Sequence, residues 1–206
     1  MSKFELYDLN VKYDAVKVRR KYPYSHTYVK DIYPRYLDPR RNEPLTILEI
    51  GIAWGGALQA FRDYLPNAHI IGYDIVFQNM KIINPDRITL VQGSQDDPVK
   101  LAQLAKEHGP FDFIIDDACH QFEPQLVSLN TLWPHIKPGG AYFIEDVFTL
   151  SGKRGNSSSQ IFHHIKENWL TESRFALKSY KDHNLNNSCI SFYPTLIVIE
   201  KEKANV

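Results

Sequence analysis

Short apolar, β-branched runs recur through the middle of the chain: LTILEIG (45–51), HIIGYDI (69–75), RITLVQG (87–93), FDFIIDD (111–117) and AYFIEDV (141–147). Each has the length of a strand, and their near-continuous apolar character predicts strands covered on both faces. Between them lie GGALQAFRDYLP, DPVKLAQLAKEHG and PQLVSLNTLWPHIKPGG, which are long enough for helices. Alternation of this kind predicts a parallel sheet with helices on both sides. SCISFYPTLIVIEK adds two more strands with only Pro194 and Thr195 to join them. A link that short requires an antiparallel pair. The expected fold is α/β, a mostly parallel seven-stranded sheet that ends in an antiparallel hairpin.

The flanking segments read differently. Residues 1–44 are polar and Tyr-rich, with helical potential around SHTYVKDIYPRYL; Ser25 is the expected cap, and Pro34 should kink or end that helix. SGKRGNSSSQ (151–160) reads as a mobile polar loop. The expected organisation is one domain, with 1–44 a helical cap on the substrate side and 45–206 the body.

Composition narrows the partners. The 206 residues carry 24 Lys+Arg against 24 Asp+Glu, a formal net charge of zero, whereas a nucleic-acid or acidic-membrane partner usually calls for a basic excess. VKVRRKYP and DPRRNE are short clusters, expected to be solvated faces. A small molecule or another protein is the expected partner. Cys119 and Cys189 fit no zinc spacing. There is no 18-residue apolar run and no signal-peptide pattern, which with the cysteines points to a cytoplasmic setting.

Candidate chemistry gathers at the carboxyl ends of the strands, where open α/β sheets hold ligands. The first strand runs out in LEIGIAWGGAL, where Gly51, Gly55 and Gly56 allow a tight turn and a close approach of backbone to ligand. Glu49 lies just inside that strand end, and Asp74 ends the second strand, where an acid accepts hydrogen bonds from ribose hydroxyls. A NAD site would use the same acid. The loop order, acid-x-Gly-x-Ala-x-Gly in EIGIAWG (49–55), differs from a G-x-G-x-x-G pyrophosphate cradle.

Here the sequence resembles the class I S-adenosylmethionine-dependent methyltransferases, whose first motif reads acid-x-Gly-x-Gly-x-Gly; Ala53 stands at the middle Gly position. The resemblance covers about 45–200 and implies a Rossmann-like class I methyltransferase fold with a reversed C-terminal hairpin. It also implies that Gly51 and Gly55 flank the methionine end, Asp74 the ribose, and Ser94 and Gln95 in GSQDD the adenine. Glu49, Ala53, Trp54 and Asp116 complete the implied cofactor contacts.

In that fold the fourth and fifth strands are neighbours, about 4.8 Å apart. Acids at their tips, Asp117 in FIIDDACH and Glu145 and Asp146 in AYFIEDVFT, then form an all-oxygen set suited to a hard divalent ion such as Mg²⁺. His120 follows three residues after Asp117, placed to take a hydroxyl proton as a general base. His163 and His164 read as a surface helix, and His69, His108 and His135 lie away from the ligand edge.

The series D-D-x-x-H, LWPHIKPGGAYFIEDVFT and FYPTLIVIEK is similar to the metal-dependent O-methyltransferases of antibiotic biosynthesis that act on deoxysugars, the macrolide (mycinamicin-type) enzymes, and to cephalosporin-pathway relatives. That likeness implies Mg²⁺ on Asp117, Glu145 and Asp146, with His120 as base and a sugar hydroxyl as acceptor. This chain departs from them in its length, in Cys119 where a serine is common, and in Tyr33 and Pro34, with Asp31 just upstream, where an N-terminal acid is usual. The rival readings are a catechol, phenol or nitrogen acceptor, and a methyltransferase-like accessory subunit. Trp54 and Tyr142 would line an aromatic acceptor site or belong to the core. A homodimer or higher homo-oligomer is expected.

Overall fold

The computed structural model describes residues 5–18, 27–78, 80–147, 158–170, 187–193 and 195–203. Ser25, Pro194 and most of the 151–160 loop, all named above, lie outside the described residues. The chain divides into two compact units, residues 1–94 and 95–206.

The first unit carries β1 (Thr46–Ile50), β2 (His69–Asp74) and β3 (Ile88–Gln92), all parallel, with β2 in the middle. Ile47, Leu48, Ile50, Ile70, Ile71 and Tyr73 are all buried. Each such side chain contributes roughly 1.5–3 kcal/mol on leaving water, which is why β-branched runs settle at the centre. Helix α1 (Glu5–Lys12) packs on α3 (Gly56–Tyr64). A Cβ on Gly56 would stand 2.7 Å from the Tyr13 carbonyl oxygen, so the N-terminal segment approaches α3 through the missing side chain. Pro34 does not end its helix. A π-helical turn, Tyr28–Ile32, runs into α2 (Tyr33–Leu37), with Pro34 in the first turn of the α-helical part, so the change of helix type falls just before the proline.

The second unit carries β4 (Phe111–Asp116), buried at every position, and β5 (Ile136–Ile144), parallel to it. β6 (Asn187–Phe192) and β7 (Ile197–Lys201) form the expected antiparallel pair, and β7 also runs antiparallel to β5. The seven described strands follow the order β3-β2-β1-β4-β5-β7-β6. This is the α/β plan that the hydrophobic pattern predicts.

Two helices flank the acidic loop in sequence. In α4 (Pro98–His108), Asp97 caps the amides of Val99 and Lys100. The other, α5 (Phe122–Leu132), is shorter than expected: a 3₁₀ turn at Trp133–His135 closes it, and Ile136 already pairs with Phe111. Pairing then skips to Phe113 opposite Ala141, so KPGG bulges out, with Gly139 at φ 77°. Regular pairing therefore begins where the apolar run AYFI begins. Helix α6 (Ser158–His164) carries His163, exposed, and His164, whose ring lies 5.6 Å from that of Phe122 on α5.

Candidate active site

In the first unit, β1 leads into the glycine loop. Gly51, Ala53 and Gly55 all have left-handed φ, of 83°, 45° and 80°. Gly tolerates this at no steric cost, but an L-residue such as Ala53 bears about 1–2 kcal/mol. The departure from the glycine motif is thus a local strain. Asp74 Oδ2 accepts from the Ile52 amide at 2.8 Å, and its Oδ1 accepts from Val76 at 3.2 Å. The acid expected at the ribose therefore also braces the loop. Trp54 accepts a hydrogen bond from Lys81 through its carbonyl at 3.0 Å. Gln59 ties the same stretch to α3, donating to the Lys81 carbonyl at 2.9 Å and accepting from Ile83 at 2.8 Å. The carbonyl of Ser94 accepts from the Tyr73 hydroxyl at 3.0 Å.

Glu49 is buried, and its carboxylate lies 3.1 Å from the Lys17 ammonium, which is only 3% exposed. The VKVRRKYP cluster reads as a solvated face, but Lys17 is buried with its charge inside the first unit. Nothing in the local sequence signals this, because the partner is 32 residues away and the run around it is basic.

In the second unit, the tips of β4 and β5 remain bonded as far as the acids: Asp116 pairs with Ile144, and the Glu145 amide donates to the Asp116 carbonyl at 2.9 Å. The residues just beyond are Asp117 and Asp146. His120 Nε2 lies 3.8 Å from Asp117 Oδ1 and 3.7 Å from Asp146 Oδ2, and the three side chains are 30%, 20% and 20% exposed. Asp117, His120 and Asp146 each offer a ligand atom, and these lie within 4.8 Å of one another. Glu145 is buried and stands outside that group. His120 and Asp146 both have φ 54°, a sparsely populated backbone state for side-chain-bearing residues that collects at working sites. Two half-buried carboxylates make an oxygen donor pair that fits a hard divalent cation, with its other positions left to water or substrate, and the imidazole of His120 stands beside them.

Asp116 turns the other way. It is fully buried and accepts from Gln95 Nε2 at 2.6 Å, Ser128 Oγ at 2.7 Å and Tyr142 OH at 3.0 Å. Burial pushes its carboxyl up to about 6, against the hydrogen bonds from Ser128 and Tyr142 that draw it down. The Tyr142 hydroxyl is pushed well above its ordinary value, first by burial and then by the Asp116 charge. Tyr142 is thus core, not the wall of an aromatic acceptor site. The described residues contain no helix long and apolar enough to cross a membrane.

Comparison with known proteins gives this edge its context. Residues 48–147 match a family model described as a methyltransferase domain. The chain is 38% identical over 125 residues to 8-demethyl-8-(2-methoxy-alpha-L-rhamnosyl)-tetracenomycin-C 3'-O-methyltransferase of Streptomyces olivaceus, covering 57% of this chain and 32% of that one. It is 35% identical over 136 residues to mycinamicin VI 2''-O-methyltransferase of Micromonospora griseorubida, covering 63% and 33%. Among solved structures, MycE methyltransferase in complex with Mg, SAH and mycinamycin VI superposes with a TM-score of 0.77 at 27% identity, over 97% of this chain and 55% of that one. The chain therefore spans about a third of the length of these curated relatives. The chain has the mixed seven-stranded fold of that structural neighbour.

Proposed function

We propose that the chain is an S-adenosylmethionine-dependent, Mg²⁺-dependent O-methyltransferase acting on a hydroxyl of a sugar or glycosylated natural product. The observation that carries this reading is the Asp117–His120–Asp146 group at the ends of β4 and β5, inside a methyltransferase domain. Both the tetracenomycin and the mycinamicin relatives are named for methylating such compounds. The balanced charge supports a small-molecule acceptor rather than nucleic acid. A cytoplasmic setting, a homo-oligomer, and an acceptor-side cap formed by 1–44 belong to the same proposal.

In this reading the glycine loop, with Gly51, Ala53, Trp54 and Gly55, holds the methionine end of the methyl donor, and Asp74 holds its ribose. Ser94 is assigned to the adenine. Asp117 and Asp146 hold the ion, and the likeness to the sugar enzymes assigns Glu145 to it as well. The ion supplies Lewis acidity, which lowers the pKa of an acceptor hydroxyl. His120 takes that hydroxyl's proton as general base. The oxygen attacks the donor's methyl carbon, the carbon–sulfur bond breaks, and the bonding pair stays on sulfur, leaving S-adenosylhomocysteine. The residues around the site align the reactants and neutralise charge; the donor is already activated.

Transfer of labelled methyl from S-adenosylmethionine to deoxysugar glycosides, with catechols and amines alongside, tests the proposal. Methylated sugar in Mg²⁺, with none in EDTA, is the expected result. Equal transfer in EDTA, or transfer to catechols alone, would overturn it.

A further inference from the structure

Gln95 opens the second unit and is 7% exposed. The likeness to methyltransferases places it at the adenine, but the structure gives its amide other work. Its Nε2 donates to Asp116 Oδ1 at 2.6 Å and stands 3.3 Å from Ser128 Oγ. Its Oε1 accepts from the Cys119 amide at 3.3 Å and from the Cys119 thiol at 3.1 Å. A glutamine amide has two N–H donors and two carbonyl lone pairs, and all four positions are taken within the protein. None is left to read a base.

These bonds cross the loop that carries the chemistry. One end of the amide holds the last residue of β4, and the other holds the residue before His120. Between them lies Asp117, and immediately beyond them His120 is kept at φ 54°, a conformation that persists only where the surroundings over-determine it. Asp116, the far anchor, is itself fixed by Ser128 on α5 and Tyr142 on β5. The carboxylate needs a donor on its side and the Cys119 amide needs an acceptor on the other. An amide offers both in one side chain, where a carboxylate or a thioether offers only one or neither.

We infer that Gln95 is a positioning residue for the metal and base loop: by clamping Asp116 to Cys119 it sets Asp117 and His120, and it does not read the cofactor. This rests on the methyltransferase reading above. The experiment uses the full chain, with Mn²⁺ binding followed by electron paramagnetic resonance and S-adenosylhomocysteine binding by calorimetry. Gln95→Glu places an oxygen against Asp116, and Gln95→Met removes all four bonds at similar length. Either variant should weaken Mn²⁺ binding about tenfold or more, as loss of an outer support does. Turnover should fall in step, while affinity for S-adenosylhomocysteine stays within about twofold of wild type. Adding Asp116→Asn to Gln95→Glu supplies a donor opposite the new carboxylate and should recover part of the Mn²⁺ affinity. If Gln95→Glu fails to fold, Gln95→Met decides. Loss of S-adenosylhomocysteine affinity with Mn²⁺ binding intact, or both unchanged, overturns the inference. A wild-type chain that binds neither probe overturns the methyltransferase reading, and this inference with it.

Discussion

The two strand-end regions use their acids in opposite ways. In the first unit Glu49 is neutralised by Lys17 and Asp74 is bonded to two backbone amides, so its carboxylates hold the protein's own parts in place. In the second, Asp117 and Asp146 approach His120 only to 3.8 and 3.7 Å, wider than hydrogen bonds, and they keep partial access to water. Behind them Asp116 is fully buried and takes the structural role. Carboxylates at a strand end thus have different fates according to what faces them. A loop that must embrace a ligand through its backbone needs its acids as braces, and a site that must hold a cation needs them at its rim.

This contrast can be broken first at the rim. Asp146→Asn or Asp117→Asn should remove the ion and the several kcal/mol of Lewis-acid assistance with it, a loss of about a thousandfold in methyl transfer. Thermal unfolding of the metal-free protein should hardly change. In the first unit the order of effects reverses. Lys17→Met leaves Glu49 buried without its cation and should cost about 3 kcal/mol or more in urea unfolding. Lys17→Met together with Glu49→Gln should return much of it.

The pH dependence of stability sharpens the role of Asp116. Its carboxyl, ordinarily at 3.8, is raised to about 6 in the fold. Above pH 6 the buried charge opposes folding in full. As pH falls from about 6 to 3.8 the folded chain binds a proton that the unfolded chain has not yet taken, and stability rises. The gain is on the order of 2–3 kcal/mol. Urea titrations of the metal-free protein across that window should show it, and Asp116→Asn should remove this part of the slope. The smallest effect belongs to the glycine loop: Ala53→Gly relieves the left-handed strain at the expense of chain entropy, a net gain of at most about 1 kcal/mol in melting experiments.

Much of this was legible in the sequence. The strands follow from continuous apolar runs, and their order of appearance with helices between predicts the parallel portion. Asp117, Glu145 and Asp146 stand out because charge at the end of a buried strand is costly without a purpose, and His120 stands out by following three residues after Asp117. The remainder depends on residues distant in sequence. Lys17 looks like one charge in a basic run until its pairing with Glu49 is seen. Gln95 looks like a loop residue near the adenine until Asp116 and Cys119 close on its amide. Left-handed φ at His120 and Asp146 has no sequence signal at all, since neither residue is glycine. KPGG falls in a segment whose length suits a helix, yet it forms an irregular start of β5, because Ile136 already pairs with Phe111 across the sheet.

Crystals grown with Mn²⁺ and S-adenosylhomocysteine test the central claim directly, through an anomalous difference map. The account predicts a single strong peak bonded to Asp117 and Asp146, lost in Asp146→Asn, with Glu145→Gln showing whether that acid is a third ligand. A map with no peak there at saturating Mn²⁺, while the homocysteine ligand is in place, would contradict it.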